Sequence, residues 1–222
     1  MNAFFCINAG QYRIGDDSLP QASPAHTRTL SAPVWVSHEL VNWSQYEAFV
    51  VAGGYTPQLI TQMSKSVVGK DQEGKVPGFS VDRRVEQLLG QALPVVANSL
   101  GNVPAPTLPI TGLTWFEAQA VSSFLGGRLP YEIEWEVTQL NLLSKQPIRF
   151  QEWTLDTYAK YWRADGQRRG QPWTPQAHGS ISIRGARPND HIRSIAQRIG
   201  DAPWNVEGYR GFRIAWDAEP AA

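Results

Sequence analysis

The most polar stretch beside a strand-like segment is Arg184-Gly185-Ala186-Arg187-Pro188-Asn189-Asp190-His191-Ile192-Arg193, and it carries the residues best suited to chemistry. Asp190 next to His191 could act as an orienting carboxylate and a general base. Neighbouring residues on a strand face opposite sides, so the two pair only where the backbone turns between them. Arg193 and Arg198 could grip a carboxylate or phosphate with paired N–H donors. The favoured competing reading is structural: these arginines tie loops to carboxylates such as Glu132, Glu134 or Asp156. The catalytic candidates are therefore Asp190 and His191, and the ligand-binding candidates are Arg187, Asn189, Arg193 and Trp204.

Other chemistries lack their residues. Cys6 is the sole cysteine, so the chain forms no internal disulfide and offers no cysteine cluster. It follows two phenylalanines in a strand-like run and reads as a small core residue. The histidines, His26, His38, His178 and His191, never stand three to five residues apart, so no metal is assigned. There is no phosphate-binding glycine loop and no Gly-x-Ser-x-Gly elbow. Twenty basic residues balance twenty acidic ones, which argues against a nucleic-acid partner. The densest basic run, Arg163 to Arg169, reads as a solvated loop. No apolar stretch approaches the roughly 20 residues of a membrane span. The N-terminus has no basic region, and its apolar run breaks at Asn8, so a cytoplasmic location is expected.

The elements that must position these residues are short. In 222 residues there are 19 glycines, 16 prolines and 9 tryptophans, a composition of brief elements joined by turns around large flat side chains. Residues 3 to 14 read as a strand, a turn at Asn8-Ala9-Gly10 and a second strand. Thr27 to Val36 reads as one more. Ser44-Gln45-Tyr46-Glu47 fits a capping box opening a helix that Gly53-Gly54 ends. A second box, Thr114-Trp115-Phe116-Glu117, opens a helix with Ala118, Val121, Phe124 and Leu125 on its apolar stripe. Glu132 to Gln139 forms a third helix. Strands are expected at Gln151–Leu155, Ile181–Gly185, Ser194–Ile199 and Gly211–Trp216. Early helices and late strands without βαβ alternation indicate an α+β class. Residues 56–108, with a helix from about Val81 to Leu89, read as an insertion in a single domain spanning 1–222, because they hold too few large apolar residues for a core of their own.

Several motifs in this order resemble the formylglycine-generating enzyme, or sulfatase-modifying factor, superfamily. Phe5 through Gly15 resembles its opening strand and turn, and Val41-Asn42-Trp43-Ser44-Gln45-Tyr46-Glu47-Ala48-Phe49 resembles its Val-Thr-Asn-x-x-Tyr-x-x-Phe helix start. Pro109 to Ala118 is similar to Pro-Val-x-x-Val-Ser-Trp-x-Asp-Ala, and Arg128 to Glu136 to Arg-Leu-Pro-Thr-Glu-Ala-Glu-Trp-Glu. Glu152 to Tyr158 matches Glu-Trp-Thr-x-Asp-x-Tyr, Arg184-Gly185-Ala186 stands where Arg-Gly-Gly-Ser is usual, and Gly211-Phe212-Arg213 matches the closing signature. The resemblance implies a C-type-lectin-like fold, with Arg128, Glu134 and Trp135 as scaffold.

It also removes the best-known activity. The oxidase of that superfamily holds copper and engages a substrate thiol through two cysteines before the last arginine-rich strand, whereas Arg187 to Arg198 contains none. The histidine-bearing helical domain of the sulfoxide synthases is not expected, and only a short link joins Gln139 to Gln151 where larger relatives bind calcium. The cofactor stays unassigned. Two functions are expected: an accessory domain binding a peptide, protein or small molecule, or a divergent enzyme, such as a metal-dependent oxidoreductase, acting on a peptide or small metabolite. The enzyme's site would be a cleft near Asp190, His191, Arg193 and Trp204, with 56–108 as a lid. The Asn-rich variable region of retroelement-diversified binders is not present, since residues 180 to 215 hold only Asn189 and Asn205.

Overall fold

The computed structural model describes residues 4–59, 62, 105–142, 148–158, 179–187 and 194–220. Most of the 56–108 insertion, including the expected helix from Val81, lies outside the described residues, as do Asn189, Asp190, His191 and Arg193.

Among the described residues nine short strands and three helices make an α+β fold. β1 (Phe4–Ile7) runs antiparallel to β4 (Val34–Ser37), and β4 to β9 (Ala215–Trp216), so one sheet joins the two ends of the chain. β2 (Gly10–Ile14) and β3 (His26–Leu30) form a separate antiparallel pair. The third sheet has the order β7 (Arg198–Asp201), β6 (Ile181–Gly185), β5 (Gln151–Thr157), β8 (Arg210–Gly211), with β5 and β8 parallel.

Two expected strands divide in the structure. Thr27–Val36 breaks at Ser31-Ala32-Pro33, where proline has no N–H to donate, and its halves pair in different sheets. Gly211–Trp216 breaks because Phe212 and Ile214 turn their carbonyls to Val41 and Ser37 while the chain passes between sheets. The expected strand from Ser194 begins only at Arg198, after a turn closed by Gln197 N–H donating to Ser194 O.

The N-cap of α1 (Trp43–Val51) lies two residues before the expected Ser44. Asn42 is the N-cap: its side chain accepts from Gln45 N, and Gln45 Oε1 accepts from Asn42 N. α2 (Trp115–Phe124) has its expected Thr114–Glu117 box. Glu117 is fully buried and also accepts from Tyr55 Oη at 2.7 Å, which ties α2 to the segment after α1. α3 (Glu132–Leu142) runs three residues beyond expectation.

Trp115, Trp135 and Trp153 are buried, as their motif positions imply. The indole of Trp115 donates to Thr154 O and that of Trp153 to Leu113 O, at 2.8 and 3.0 Å, so α2 and β5 clasp each other. Phe124, expected on the buried stripe, is 44% exposed. Cys6 is exposed too: on β1 the alternation buries Ile7 and turns Cys6 to the other face. Among the described residues no helix is long and apolar enough to cross a membrane.

Candidate functional site

α3 carries three glutamates that are almost fully buried, and each meets an arginine from a different element. Glu132 Oε1 accepts from Arg198 Nε and Nη2 of β7 at 3.1 and 2.8 Å. Glu134 takes both Nη groups of Arg128 at 2.7 and 2.8 Å. Glu136 pairs with Arg184 of β6 and accepts from Gly15 N at 2.8 Å. The Arg184 and Arg198 pairs fix α3 against the third sheet, because a buried charge without its partner is costly. Arg198 thus serves structure, as favoured from the sequence.

A cavity of about 480 Å³ opens where α3 begins. One wall is the continuous run 27–34, from β3 into β4; the other is Tyr131, Glu132 and Ile133, with Asp156 of β5 beside them. Arg128 and Asp217 close one side, and the Arg128 guanidinium also lies 4.8 Å from the Tyr131 ring centroid. Burial alone would lower the pKa of Arg128, but the hydrogen bonds it donates to Glu134 and Asp217 outweigh it and hold the group charged. The same bond holds Asp217 below the usual carboxylate range.

Asp156 differs from these paired acids. It is 8% exposed, and its Oδ2 accepts from Glu132 N at 2.6 Å, capping the first turn of α3 from outside the helix. Burial first, and the Glu132 carboxylate second, push its carboxyl up to about 7. Glu132 is 1% exposed, and its Oε2 is buried with no hydrogen-bond partner. Tyr131 is raised above its ordinary range, chiefly by burial. The cavity therefore combines a carboxyl poised near neutrality with a second carboxylate that has spare accepting capacity.

Of the six residues proposed from sequence, Arg187 and Trp204 are described. Arg187 is exposed, two residues past the end of β6, with its guanidinium 5.7 Å from the Tyr209 ring centroid. Trp204 is half-buried, three residues past the end of β7. Because Ile181 pairs with Asp201 and Arg184 with Arg198, the two residues leave the β6–β7 ladder at opposite ends. Among the described residues no group of three His, Cys, Asp or Glu side chains is arranged to hold a metal ion. The cavity was not foreseen, yet its sequence carried a signal. Tyr131 and Ile133 stand where the similar motif has Thr and Ala, and both line it.

Three small sheets, the pairing of both chain ends through β4 and two helices packed on a Trp-rich core define a C-type-lectin-like protein. Residues 1–141 match the sulfatase-modifying factor enzyme 1-like domain, and the chain belongs to that family. Its fold is similar to that of PvdO from Pseudomonas aeruginosa, with a TM-score of 0.62 and 15% identity over 96% of this chain and 93% of that one. Treponema denticola variable protein 1 gives 0.58 and 13% over 97% and 95%. CarF gives 0.52 and 14% over 99% of both chains. These likenesses concern the fold alone. No curated protein sequence matches significantly.

Proposed function

We propose that this chain is a ligand-binding member of its family that does not perform thiol-dependent copper oxidation, and that its ligand occupies the cavity between β3 and the start of α3. The observation that carries the first part is the cysteine count. The chain has one, Cys6, and it lies exposed on β1. A copper site of the oxidase type needs two thiolates on one ion, so these residues do not fit that group. What supports binding is a concave, partly apolar site with a few placed polar groups, the usual make-up of a ligand pocket. The ligand classes compatible with it are a small molecule or a side chain of a peptide or protein. A second reading, a divergent enzyme, draws on Asp156, whose value near 7 suits an acid–base role.

The test has two arms. Protein supplied with copper and cysteine-containing peptides is expected to give no aldehyde product by mass spectrometry, and such a product would overturn the first part. Isotope-labelled protein titrated with a small-molecule fragment set is expected to shift backbone resonances of residues 27–34 and 131–134. A set that shifts resonances only elsewhere would remove the cavity as the site.

A further inference from the structure

We infer that this cavity receives the protonated amine of its ligand, held between Glu132 and Asp156 with the attached alkyl chain against Leu30 and Ile133. The inference rests on the cavity being a binding site and adds the chemical class. Its basis is the state of each charged group around the space. Glu134 and Asp217 are both engaged by Arg128, at 2.7 and 2.6 Å. Glu132 uses only Oε1, on Arg198, and leaves Oε2 buried and unpartnered. Asp156 uses Oδ2 on a backbone N–H. Among the described residues, four carboxyl groups, those of Glu132, Glu134, Asp156 and Asp217, thus surround the site with three guanidiniums, Arg28, Arg128 and Arg198. With Asp156 ionised the set is one positive charge short.

The geometry of that deficit selects among cations. The remaining capacity belongs to two different carboxyls, one on α3 and one on β5. A planar guanidinium prefers both oxygens of one carboxylate, whereas an ammonium turns its three N–H bonds to separate acceptors. Calcium or magnesium requires about six oxygens, more than these two carboxyls supply. An anionic ligand at this position would face two incompletely compensated carboxyls. The apolar side chains of Leu30, Pro33, Val34 and Ile133 suit a methylene chain behind the charged head. The shared chemistry is an alkylammonium, whether of a free amine or of a lysine side chain.

A bound cation favours the ionised form of Asp156, so binding strengthens as pH rises. Among the described residues the groups around Asp156 are Glu132, Glu134 and Tyr131 at the start of α3, Arg28 of β3, and Arg128 with Arg198 behind them. Tyr131, raised by burial, stays protonated throughout the range of interest.

The experiment is a nuclear magnetic resonance titration of the whole chain with n-butylamine, n-butanol and butyrate at equal concentrations. Butylammonium is expected to shift residues 27–34 and 131–134 saturably, with affinity rising about tenfold between pH 6 and 8, while the other two leave them unmoved. Asp156→Asn keeps an acceptor for Glu132 N–H and is expected to lose that pH dependence and most of the affinity. Thr29→Lys, at an exposed lining position, supplies an internal ammonium and is expected to block butylamine. Nα-acetyl-lysine amide tests the source: tighter binding than butylamine supports a peptidyl lysine, and weaker binding supports a free amine. Equal or stronger shifts from butanol or butyrate would overturn the inference and leave the binding site standing. No shift in the cavity from any of the three would overturn both.

Discussion

Asp156 is the residue on which stability and binding meet. Its carboxyl is pushed up to about 7 by burial and by Glu132, whereas an unfolded aspartate titrates near about 4. Between those values the folded protein holds a proton that the unfolded chain has released. Its contribution is therefore most favourable below about pH 4 and declines as pH rises towards 7. Asp156→Asn is expected to flatten that decline, leaving the variant at least as stable as the wild type at pH 8, as measured by urea unfolding at pH 5 and 8. Arg184 presents the opposite case. It is fully buried and pairs with Glu136, so Arg184→Met leaves a buried carboxylate supported only by Gly15 N–H. A loss of about 3–5 kcal/mol is expected from the same measurement. The sequence allowed arginines bound to Glu132, Glu134 or Asp156, but it did not single out Glu136, because partners 48 residues apart are chosen by packing.

At the scale of elements, capping chemistry was legible and its register less so. Both helices open on a capping box, but α1 is capped by Asn42, with Gln45, instead of by Ser44, because Asn and Ser are equally good caps and only tertiary anchoring chose between them. Trp43 N–H donates to Leu108 O and Ser44 N–H to Pro106 O, which places the chain so that Asn42 faces the first turn. Asn42→Ala is accordingly expected to cost about 1 kcal/mol in thermal or urea unfolding. Ser44→Ala, whose hydroxyl bonds only Asn42 Oδ1 at an exposed position, should cost much less. Gly127 lets the chain after α2 pass close to β9. A Cβ there would stand 2.6 Å from Ala215 O, on the bridge between Arg128 and Ala215. Gly127→Ala is expected to lower the unfolding midpoint, whereas Gly112, with open space around its Cβ position, fails only through its positive φ.

For the whole molecule, closure depends on the last strand. β9 completes the sheet begun by β1, and beyond it Asp217 holds Arg128, which in turn holds Glu134. Truncation after Arg213 removes β9 and Asp217 together and leaves the Arg128–Glu134 pair without its outer support. The shortened chain is expected to lose its cooperative unfolding transition by circular dichroism. Retention of a sharp transition would show that the first sheet does not depend on β9.

The sequence by itself determined the α+β class, the family through ordered motifs, the buried tryptophans and, through its single cysteine, the absence of a dithiolate copper site. These rest on residue type and on spacing within a few positions, which local chemistry controls. Tertiary structure decided that Cys6 points outward, that Thr27–Val36 serves two sheets, and that Asp156, Glu132 and the 27–34 run surround one cavity. Those facts join residues from a dozen to more than a hundred positions apart, and no local periodicity encodes which distant face a strand or helix end will meet.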